Sequence, residues 1–95
     1  MSAYVIVDIE VTDPVVYAEY RQRAPATLVP YGGRYLARGG AAEVVEGDWT
    51  PRRLVILEFP DVARAKAWLT SPEYTEVAKL RHRSARTNKV LVDGV

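Results

Sequence analysis

The chain has 95 residues, of which 48% are hydrophobic and 26% are charged, and its net charge is +1. So small a net charge argues against a partner chosen by bulk electrostatics, such as nucleic acid or an anionic membrane surface. The chain has no cysteine, which excludes disulfides, thiolate metal sites and thiol redox chemistry. Length and composition predict a single domain over residues 1–95 with one modest hydrophobic core.

We expect the first residues of the chain to belong to the fold rather than to a targeting signal. The segment from Met1 to Ile6 has no basic residue, and its apolar run is interrupted at Asp8. A secretory signal needs a basic region and a longer apolar run, and no later segment approaches the ~20 apolar residues of a membrane-spanning helix. We therefore expect a cytoplasmic protein that does not associate with membranes.

The first predicted elements are a strand and a helix. Residues 3–11 alternate in polarity and are rich in β-branched side chains, which predicts a strand. A helix begins at Asp13, because aspartate is a good N-cap and Pro14 suits the first helical position. We expect Pro25 to kink this helix or to end it, since proline lacks a backbone N–H.

A second strand begins at Arg34 and meets a glycine pair, Gly39 and Gly40. Paired glycines release the backbone from steric limits, so they mark a bulge, a sharp turn or a close approach. We interpret this pair as a bulge in one long bent strand that resumes at residues 43–45. A tight hairpin at the same place is the alternative.

The second half of the chain repeats the pattern. Residues 53–59 form the clearest strand of the sequence. Asp61 caps a second helix, and Ser71 with Pro72 begins a new helical segment. Residues 89–92 then predict a short final strand.

The resulting order of elements is β-α-β-β-α-β. Two right-handed β-α-β crossovers combine these elements into an antiparallel four-stranded sheet with both helices on one face. We therefore predict an α+β protein with the ferredoxin-like fold and the strand order 4-1-3-2.

The two central strands differ strongly between their faces. One face is uniformly apolar and should pack under the helices: Val5, Val7, Ile9, Val11, Val55, Leu57 and Phe59. The opposite face has Tyr4, Ile6, Leu54 and Ile56 at its centre, together with Asp8 and Glu58. An uncovered apolar patch usually marks an interaction surface, and a second copy of the sheet can cover it by two-fold symmetry. We predict a homodimer whose sheets face each other.

The two acids on this face are candidates for paired-carboxylate chemistry. If Ile6 pairs with Ile56, Asp8 and Glu58 lie at opposite ends of the face, more than ~12 Å apart at ~3.4 Å per residue. Paired carboxylates in catalysis lie closer together than that. The spacing therefore argues against a carboxylate dyad.

Three ordered segments carry a family resemblance. They are Tyr31–Gly40 with its two glycine pairs, Leu54–Pro60, and the stretch from Trp68 through Ser71-Pro72-Glu73-Tyr74 to Arg81. Together they resemble the domain of unknown function 1330 family over nearly the whole chain. The resemblance implies the dimeric α/β-barrel superfamily, with its face-to-face dimer. The resemblance implies no particular reaction, because the biochemical function of the family is not established.

Relatives in that superfamily include cofactor-independent monooxygenases, lactone isomerases and haem-degrading enzymes. Their sites lie in the cavity between sheet and helices, so the resemblance implies that a site in this chain lies there too.

Arg34 and Arg38 are the first candidates for such a site. They are four residues apart on a predicted strand, so they should share a face, with Tyr35 on the other. An arginine pair can clamp an anion, since its forked donors match carboxylates. The alternative is that they pair with Glu58 or Glu43 across the sheet, or are solvated.

Further candidates lie on the predicted helices. Tyr20 and Tyr74 either belong to the core or line a pocket and donate hydrogen bonds. His82, the only histidine, is either a general base or a surface residue near a helix C terminus. Arg81 is part of a basic cluster that is either solvated or binds an acidic ligand.

Two functional hypotheses follow. In the first, the cavity between sheet and helices binds or transforms a small anionic or aromatic ligand, without cofactor or metal. The residues expected to line it are Asp8, Tyr20, Arg38, Glu58, Tyr74 and Arg81, with carboxylates as bases and arginines as anion anchors. In the second, the chain is a non-catalytic homodimeric module whose inward polar groups only fix the register of two sheets.

Overall fold

The alternation and capping signals of the chain produce four strands and three α-helices in a computed structural model that describes residues 1–95. In chain order the elements are β1 (Ala3–Val11), α1 (Pro14–Leu28), β2 (Arg34–Arg38), β3 (Leu54–Phe59), α2 (Val62–Leu69), α3 (Pro72–Ser84) and β4 (Ala85–Asp93), with a 3₁₀ turn at Val29–Tyr31 after α1. The strands form one antiparallel sheet in the order β2-β3-β1-β4. The predicted ferredoxin-like α+β fold and its strand order are confirmed.

Alternation along β1 and β3 explains which face of the sheet the helices cover. Inward side chains of these strands are buried, namely Ala3, Val5, Val7, Ile9, Val55, Leu57 and Phe59, and they join helix residues in one core cluster. Ile6 lies opposite Ile56, so the register assumed above for the spacing of Asp8 and Glu58 is the one that the structure has. The other face of the sheet has no helix against it.

The helices begin where the sequence predicts, for a local reason. Asp13, Asp61 and Ser71 each accept a hydrogen bond from the backbone N–H three residues later. This bond satisfies one of the N–H groups that the first turn of a helix leaves without a partner. The caps therefore set where the first turns of α1, α2 and α3 begin.

Helix α1 continues through Pro25 to Leu28, so of the two expected outcomes, a kink or an end at Pro25, the end does not occur. A proline inside a helix leaves the carbonyl four residues earlier without its usual donor. That carbonyl belongs to Arg21, and the Nη2 of Arg38 on β2 donates a hydrogen bond to it. The Arg38 side chain therefore supplies the donor that Pro25 lacks.

Strand β2 is shorter than predicted. It ends at Arg38, and Gly39 follows with a φ of 73°, a left-handed conformation that favours glycine. Residues 41–45 are exposed and join no strand, so the predicted resumption at residues 43–45 is wrong, and so is the alternative hairpin. The chain crosses from β2 to β3 in an irregular loop instead.

The bulge lies inside β2, at Leu36, where the pairing with β3 slips by one residue between Tyr35 and Ala37. An extra residue reverses the alternation of side chains beyond it. Arg34 therefore lies opposite Glu58 on the uncovered face, whereas Arg38 faces the helices together with Tyr35. The prediction that Arg34 and Arg38 share a face is wrong for this reason.

Strand β4 spans Ala85–Asp93 rather than residues 89–92 and pairs with β1 along its whole length. It follows α3 without a loop, so Ala85 belongs to the strand as soon as the helix ends at Ser84. None of the helices has the length and apolar character needed to cross a membrane.

Candidate functional site

A cavity lies between the inner face of the sheet and the helices. Its floor is apolar and is made by Val7, Ile9, Val55 and Leu57. Its walls carry five aromatic rings, of Tyr17, Tyr20, Tyr35, Trp68 and Tyr74, and four cationic side chains, of Arg21, Arg38, Arg53 and Lys89. The cavity has a volume of about 30 Å³, which is room for one water molecule or a group of that size.

The cavity adjoins a wider basin of about 480 Å³ beside α1, lined also by Val11, Pro14 and Ala18. Tyr17, Arg21, Arg38 and Arg53 line both spaces, so they stand where the basin meets the cavity. A ligand larger than the cavity can place its body in the basin and one group inside.

Two tyrosine hydroxyls meet inside the cavity. The Oη of Tyr20 on α1 and the Oη of Tyr74 on α3 are 2.9 Å apart, at hydrogen-bond distance. The ring of Tyr74 stacks on Trp68 at 3.9 Å between centroids, which fixes its orientation. The Nζ of Lys89 on β4 donates a hydrogen bond of 3.2 Å to the same Tyr74 hydroxyl.

Arg38 and Arg53 stand at the mouth of the cavity. The guanidinium of Arg38 lies 4.5 Å from the centroid of the Tyr35 ring, as in a cation–π contact. The Nε of Arg53 donates a hydrogen bond of 3.2 Å to the Tyr17 hydroxyl. Both guanidinium groups are thus held in place by aromatic neighbours.

The cations of the cavity have no acidic partner. The structure contains two ion pairs, Arg34 with Glu58 and Lys79 with Glu76, and neither lies in the cavity. The lining includes no carboxylate and no histidine, so it offers no ligand set for a divalent metal ion. Arg38, Arg53 and Lys89 are half-buried and Arg21 is exposed. Half-buried cations beside an apolar floor and without an acidic partner favour an anionic ligand, because a charge that is partly removed from water is stabilised by a charge of the opposite sign.

The surroundings shift the pKa values of the groups that meet at Tyr74. Burial lowers the pKa of the Lys89 ammonium, and Arg81 lowers it further, against an opposing effect of Tyr74. Burial raises the pKa of the Tyr20 phenol, and neighbouring Tyr74 adds to the rise. Burial also acts to raise the pKa of Tyr74, but the charges of Lys89 and Arg81 and two hydrogen bonds outweigh it and hold that pKa below its ordinary range.

Arg81 lies behind this cluster, on α3. It is only 7% exposed, its guanidinium is 6.0 Å from the centroid of the Tyr20 ring, and its Nε has no hydrogen-bond partner. Its Nη2 is 3.3 Å from Nε2 of His82, which is exposed. Partial loss of water around the ring lowers the pKa of His82, and the charges of Arg81 and Lys89 lower it further.

Asp8 and Glu58 lie on the uncovered face of the sheet and not in the cavity. Asp8 accepts hydrogen bonds from the Trp49 indole at 2.8 Å and from the Arg52 N–H at 3.0 Å, and these two bonds lower its pKa. Glu58 pairs with Arg34 at 2.6 Å, and this partner lowers its pKa. Asp8 thereby holds the loop between β2 and β3, and Glu58 holds the edge strand β2.

The structure therefore divides the six predicted residues. It brings Tyr20, Arg38 and Tyr74 together in the cavity wall, and it places Arg81 against Tyr20. It places Asp8 and Glu58 on the opposite face because their strand positions alternate with the buried ones.

Besides the apolar floor, the cavity is lined by six residues that are missing from the predicted site: Tyr17, Arg21, Tyr35, Arg53, Trp68 and Lys89. For Arg53 a signal exists: it has the same parity as Val55, Leu57 and Phe59, so a charge at this position points toward the helices. Lys89 lies opposite Val7, which is buried, and therefore faces the helices. Its orientation cannot be predicted without the register of β4 against β1.

The fold and the cavity define a ferredoxin-like α+β protein with a candidate ligand site between sheet and helices. Within this class, the chain belongs to the family described as Domain of unknown function (DUF1330), whose model matches residues 2–95. No curated protein matches the chain.

Solved structures share the fold at low identity. A protein of unknown function from Rhodopseudomonas palustris has a TM-score of 0.80 at 17% identity, covering 99% of this chain and 82% of its own. SnoaB, a cofactor-independent oxygenase from Streptomyces nogalater, has a TM-score of 0.68 at 11% identity, covering 99% of this chain and 93% of its own. A dimeric protein of unknown function with a ferredoxin-like fold from Bacteroides fragilis has a TM-score of 0.66 at 16% identity, covering 98% and 96%.

Proposed function

We propose that the chain binds a small organic anion with a flat apolar body, such as an aromatic carboxylate, in the cavity and basin between sheet and helices. The observation that carries this proposal is the set of cations at the cavity mouth, Arg38 and Arg53 among them, with no acidic partner. Arginine forks match carboxylates, and aromatic walls suit a flat ligand.

The depth of the site suggests how the ligand lies. The basin beside α1 has room for a ring, whereas the inner cavity admits only a group of about the size of a water molecule. The anionic group then meets Arg38 and Arg53 at the boundary, and one small group next to it reaches Tyr74 inside.

The alternative is a module that binds no ligand. In that case every charged side chain that lines the cavity should be explained by its contacts within the protein. Arg38 does serve packing in part, since it donates to the Arg21 carbonyl and stacks on Tyr35. Lys89, however, is half-buried at the cavity, with a phenol as its hydrogen-bond acceptor and no ion pair to a carboxylate. A fold gains little from such a charge unless a ligand compensates it.

Replacement of Arg38 by alanine is expected to weaken the binding of aromatic carboxylates about tenfold to a hundredfold, the effect of losing one charged hydrogen bond. The measurement is a thermal-shift screen with benzoate, phenylacetate and phenylpyruvate, followed by titration of tryptophan fluorescence. A bound ligand stabilises the folded state by RT ln(1 + [L]/Kd), so the rise in melting temperature grows with ligand concentration and with affinity.

Arg34→Ala is the matched control, because Arg34 lies on the same strand but on the uncovered face. Its affinity for the acids should equal that of the unaltered protein. The proposal fails if the acids shift the melting temperature no more than benzamide and benzyl alcohol do, or if Arg38→Ala binds them as tightly as Arg34→Ala.

We also propose that the uncovered face of the sheet pairs with the same face of a second copy. The apolar row Val90–Ile6–Ile56 crosses three adjacent strands, and Val92 lies beside Tyr4 in the next row. Val90 is 56% exposed and Val92 is 45% exposed. Such a patch usually marks an interaction surface, and the Bacteroides fragilis protein of similar fold is described as dimeric.

Replacement of Val90 by glutamate is expected to convert a dimer into a monomer, because two-fold symmetry would bring two buried carboxylates close together. Light scattering after size-exclusion chromatography measures the mass. Val15→Glu is the control, since Val15 is 81% exposed on α1 at the far side of the molecule. A monomeric unaltered protein at micromolar concentration would contradict the proposal.

A further inference from the structure

The hydroxyl of Tyr74 occupies a special place in the cavity, because two donors converge on it. An ammonium group can only donate, so Lys89 donates to the Tyr74 oxygen at 3.2 Å. The Tyr20 hydroxyl, 2.9 Å away, can donate to the same oxygen. Two donors on one phenol oxygen stabilise the phenolate form, since hydrogen bonds to the charged form favour it.

The charges around Tyr74 have one sign. Lys89 on β4 and Arg81 on α3 are its nearest cations, and Arg38 and Arg53 line the same cavity. The other titratable neighbours are the phenols of Tyr17, Tyr20 and Tyr35, and His82 lies outside beside Arg81. No carboxylate lines the cavity to oppose an anion there.

Tyr74 is also oriented rigidly. Its side chain is 2% exposed and its ring is stacked on Trp68, which is itself buried between Tyr74 and Phe59. A proton-transfer group needs this kind of fixed position within hydrogen-bond reach of a bound ligand. Tyr74 lines the cavity, and the charged side chains that line it with Tyr74 are all cations, which can stabilise an anion.

From this arrangement we infer that Tyr74 is a proton-transfer residue and that the chain accelerates the keto–enol tautomerisation of a carboxylate-bearing carbonyl compound. The inference rests on the proposed binding of an organic anion and names its chemical class: an acid with an acidic C–H bond next to a carbonyl. Lys89 and Tyr20 act as positioning residues, which stabilise the Tyr74 phenolate.

The step balances without any other reactant. The phenolate oxygen of Tyr74 takes the proton from the carbon beside the carbonyl, and the electron pair of that C–H bond becomes the C=C bond of an enolate. Cationic side chains at the cavity stabilise the negative charge that moves to the carbonyl oxygen. The Tyr74 phenol then returns the proton to that oxygen, which gives the enol and restores the phenolate.

The first test needs no ligand. Tyrosinate absorbance is recorded against pH for the unaltered protein, Tyr74→Phe and Lys89→Met. One phenol should titrate below the other five, vanish in Tyr74→Phe, and titrate at higher pH in Lys89→Met, because removal of the ammonium removes a stabilising charge. If no tyrosine that titrates early is lost in Tyr74→Phe, the inference is wrong while the binding proposal stands.

The second test uses phenylpyruvate in D₂O and follows exchange of its benzylic protons by NMR. Tyr74→Phe should lose about a hundredfold in exchange rate, the usual contribution of a general base, while its affinity in the fluorescence titration changes little. The rate should rise with pH through the Tyr74 titration. Equal exchange rates in the unaltered protein and Tyr74→Phe, with phenylpyruvate bound to both, would overturn the inference. Absence of binding would instead overturn the proposed function.

Lys89→Arg separates positioning from direct chemistry. Arginine keeps the cation and the donor but cannot serve as a base or form an imine, so most of the exchange activity should remain. Loss of activity in both Lys89→Arg and Lys89→Met, together with inactivation by borohydride in the presence of phenylpyruvate, would assign the chemistry to the lysine amine and contradict the role of Tyr74.

Discussion

Replacement of Trp68 by alanine is expected to lower the free energy of unfolding by about 3–5 kcal/mol, the range for truncation of a large buried aromatic side chain. Trp68 is 2% exposed and lies against Phe59 at 5.4 Å and Tyr74 at 3.9 Å between ring centroids. Its Nε1 also donates to Thr27 Oγ1 at 3.0 Å. Alanine would leave a cavity and would deprive a buried hydroxyl of that donor.

Urea denaturation followed by circular dichroism measures this loss. Trp49→Ala is the matched control, since Trp49 is 59% exposed in the loop between β2 and β3 and donates only to the surface carboxylate of Asp8. The control should cost about 1 kcal/mol or less, as exposed positions usually do. Similar losses for the two tryptophans would contradict the packing described for Trp68.

The second large effect is expected for Gly33→Ala, with a loss of about 1–3 kcal/mol, as for other side chains forced into a filled core. A Cβ at this position would lie 2.6 Å from Cε1 of Phe59 and 2.9 Å from Cδ2 of Leu28. Both neighbours are buried, and Phe59 is fully so. Neither can move aside without disturbing the contact between the sheet and α1.

Gly40→Ala serves as the control in the same denaturation experiment. A Cβ at Gly40 would meet no atom within 4 Å, and its φ is not positive. Alanine there should be neutral or should stabilise by up to about 1 kcal/mol, because it restricts the unfolded chain. A smaller loss of stability for Gly33→Ala than for Gly40→Ala would show that Gly33 is not packed against Phe59 and Leu28 as described.

The fold could be predicted because its signals are local and agree with one another. The one-sided apolar pattern of β1 and β3 fixes which face is buried, and the caps at Asp13, Asp61 and Ser71 mark the helix starts. The pairing of Ile6 with Ile56 could be assumed from the sequence and is the one observed, and a slip of one residue would turn apolar side chains to the wrong face.

The errors arise where a distant partner decides the outcome. Pro25 stays inside α1 because Arg38 from another element donates to the free carbonyl of Arg21. The bulge lies at Leu36 rather than at the glycine pair because the pairing with β3 determines its position. Neither contact can be predicted from the residues that are adjacent in the sequence.

The candidate site was only half predictable for a related reason. The residue types of Tyr20, Arg38 and Tyr74 predict a ligand site, and all three line the cavity. The charges of Asp8 and Glu58 predict the same, but their parity places them on the uncovered face. A stricter rule, that a charge at a buried parity position marks the site, would have replaced them with Arg53 and, given the register of β4, Lys89.

The single extra residue at Leu36 has a consequence for how relatives of this chain can be compared. Side chains before and after it lie on opposite faces, so the length of the segment between the glycine pairs decides whether its last arginine reaches the cavity or the surface that we expect to contact a second copy. Loss of one residue there would move that positive charge from the cavity to the uncovered face of the sheet, with every other residue identical. Spacing in this segment is therefore a more informative marker of binding chemistry than the presence of the arginine itself.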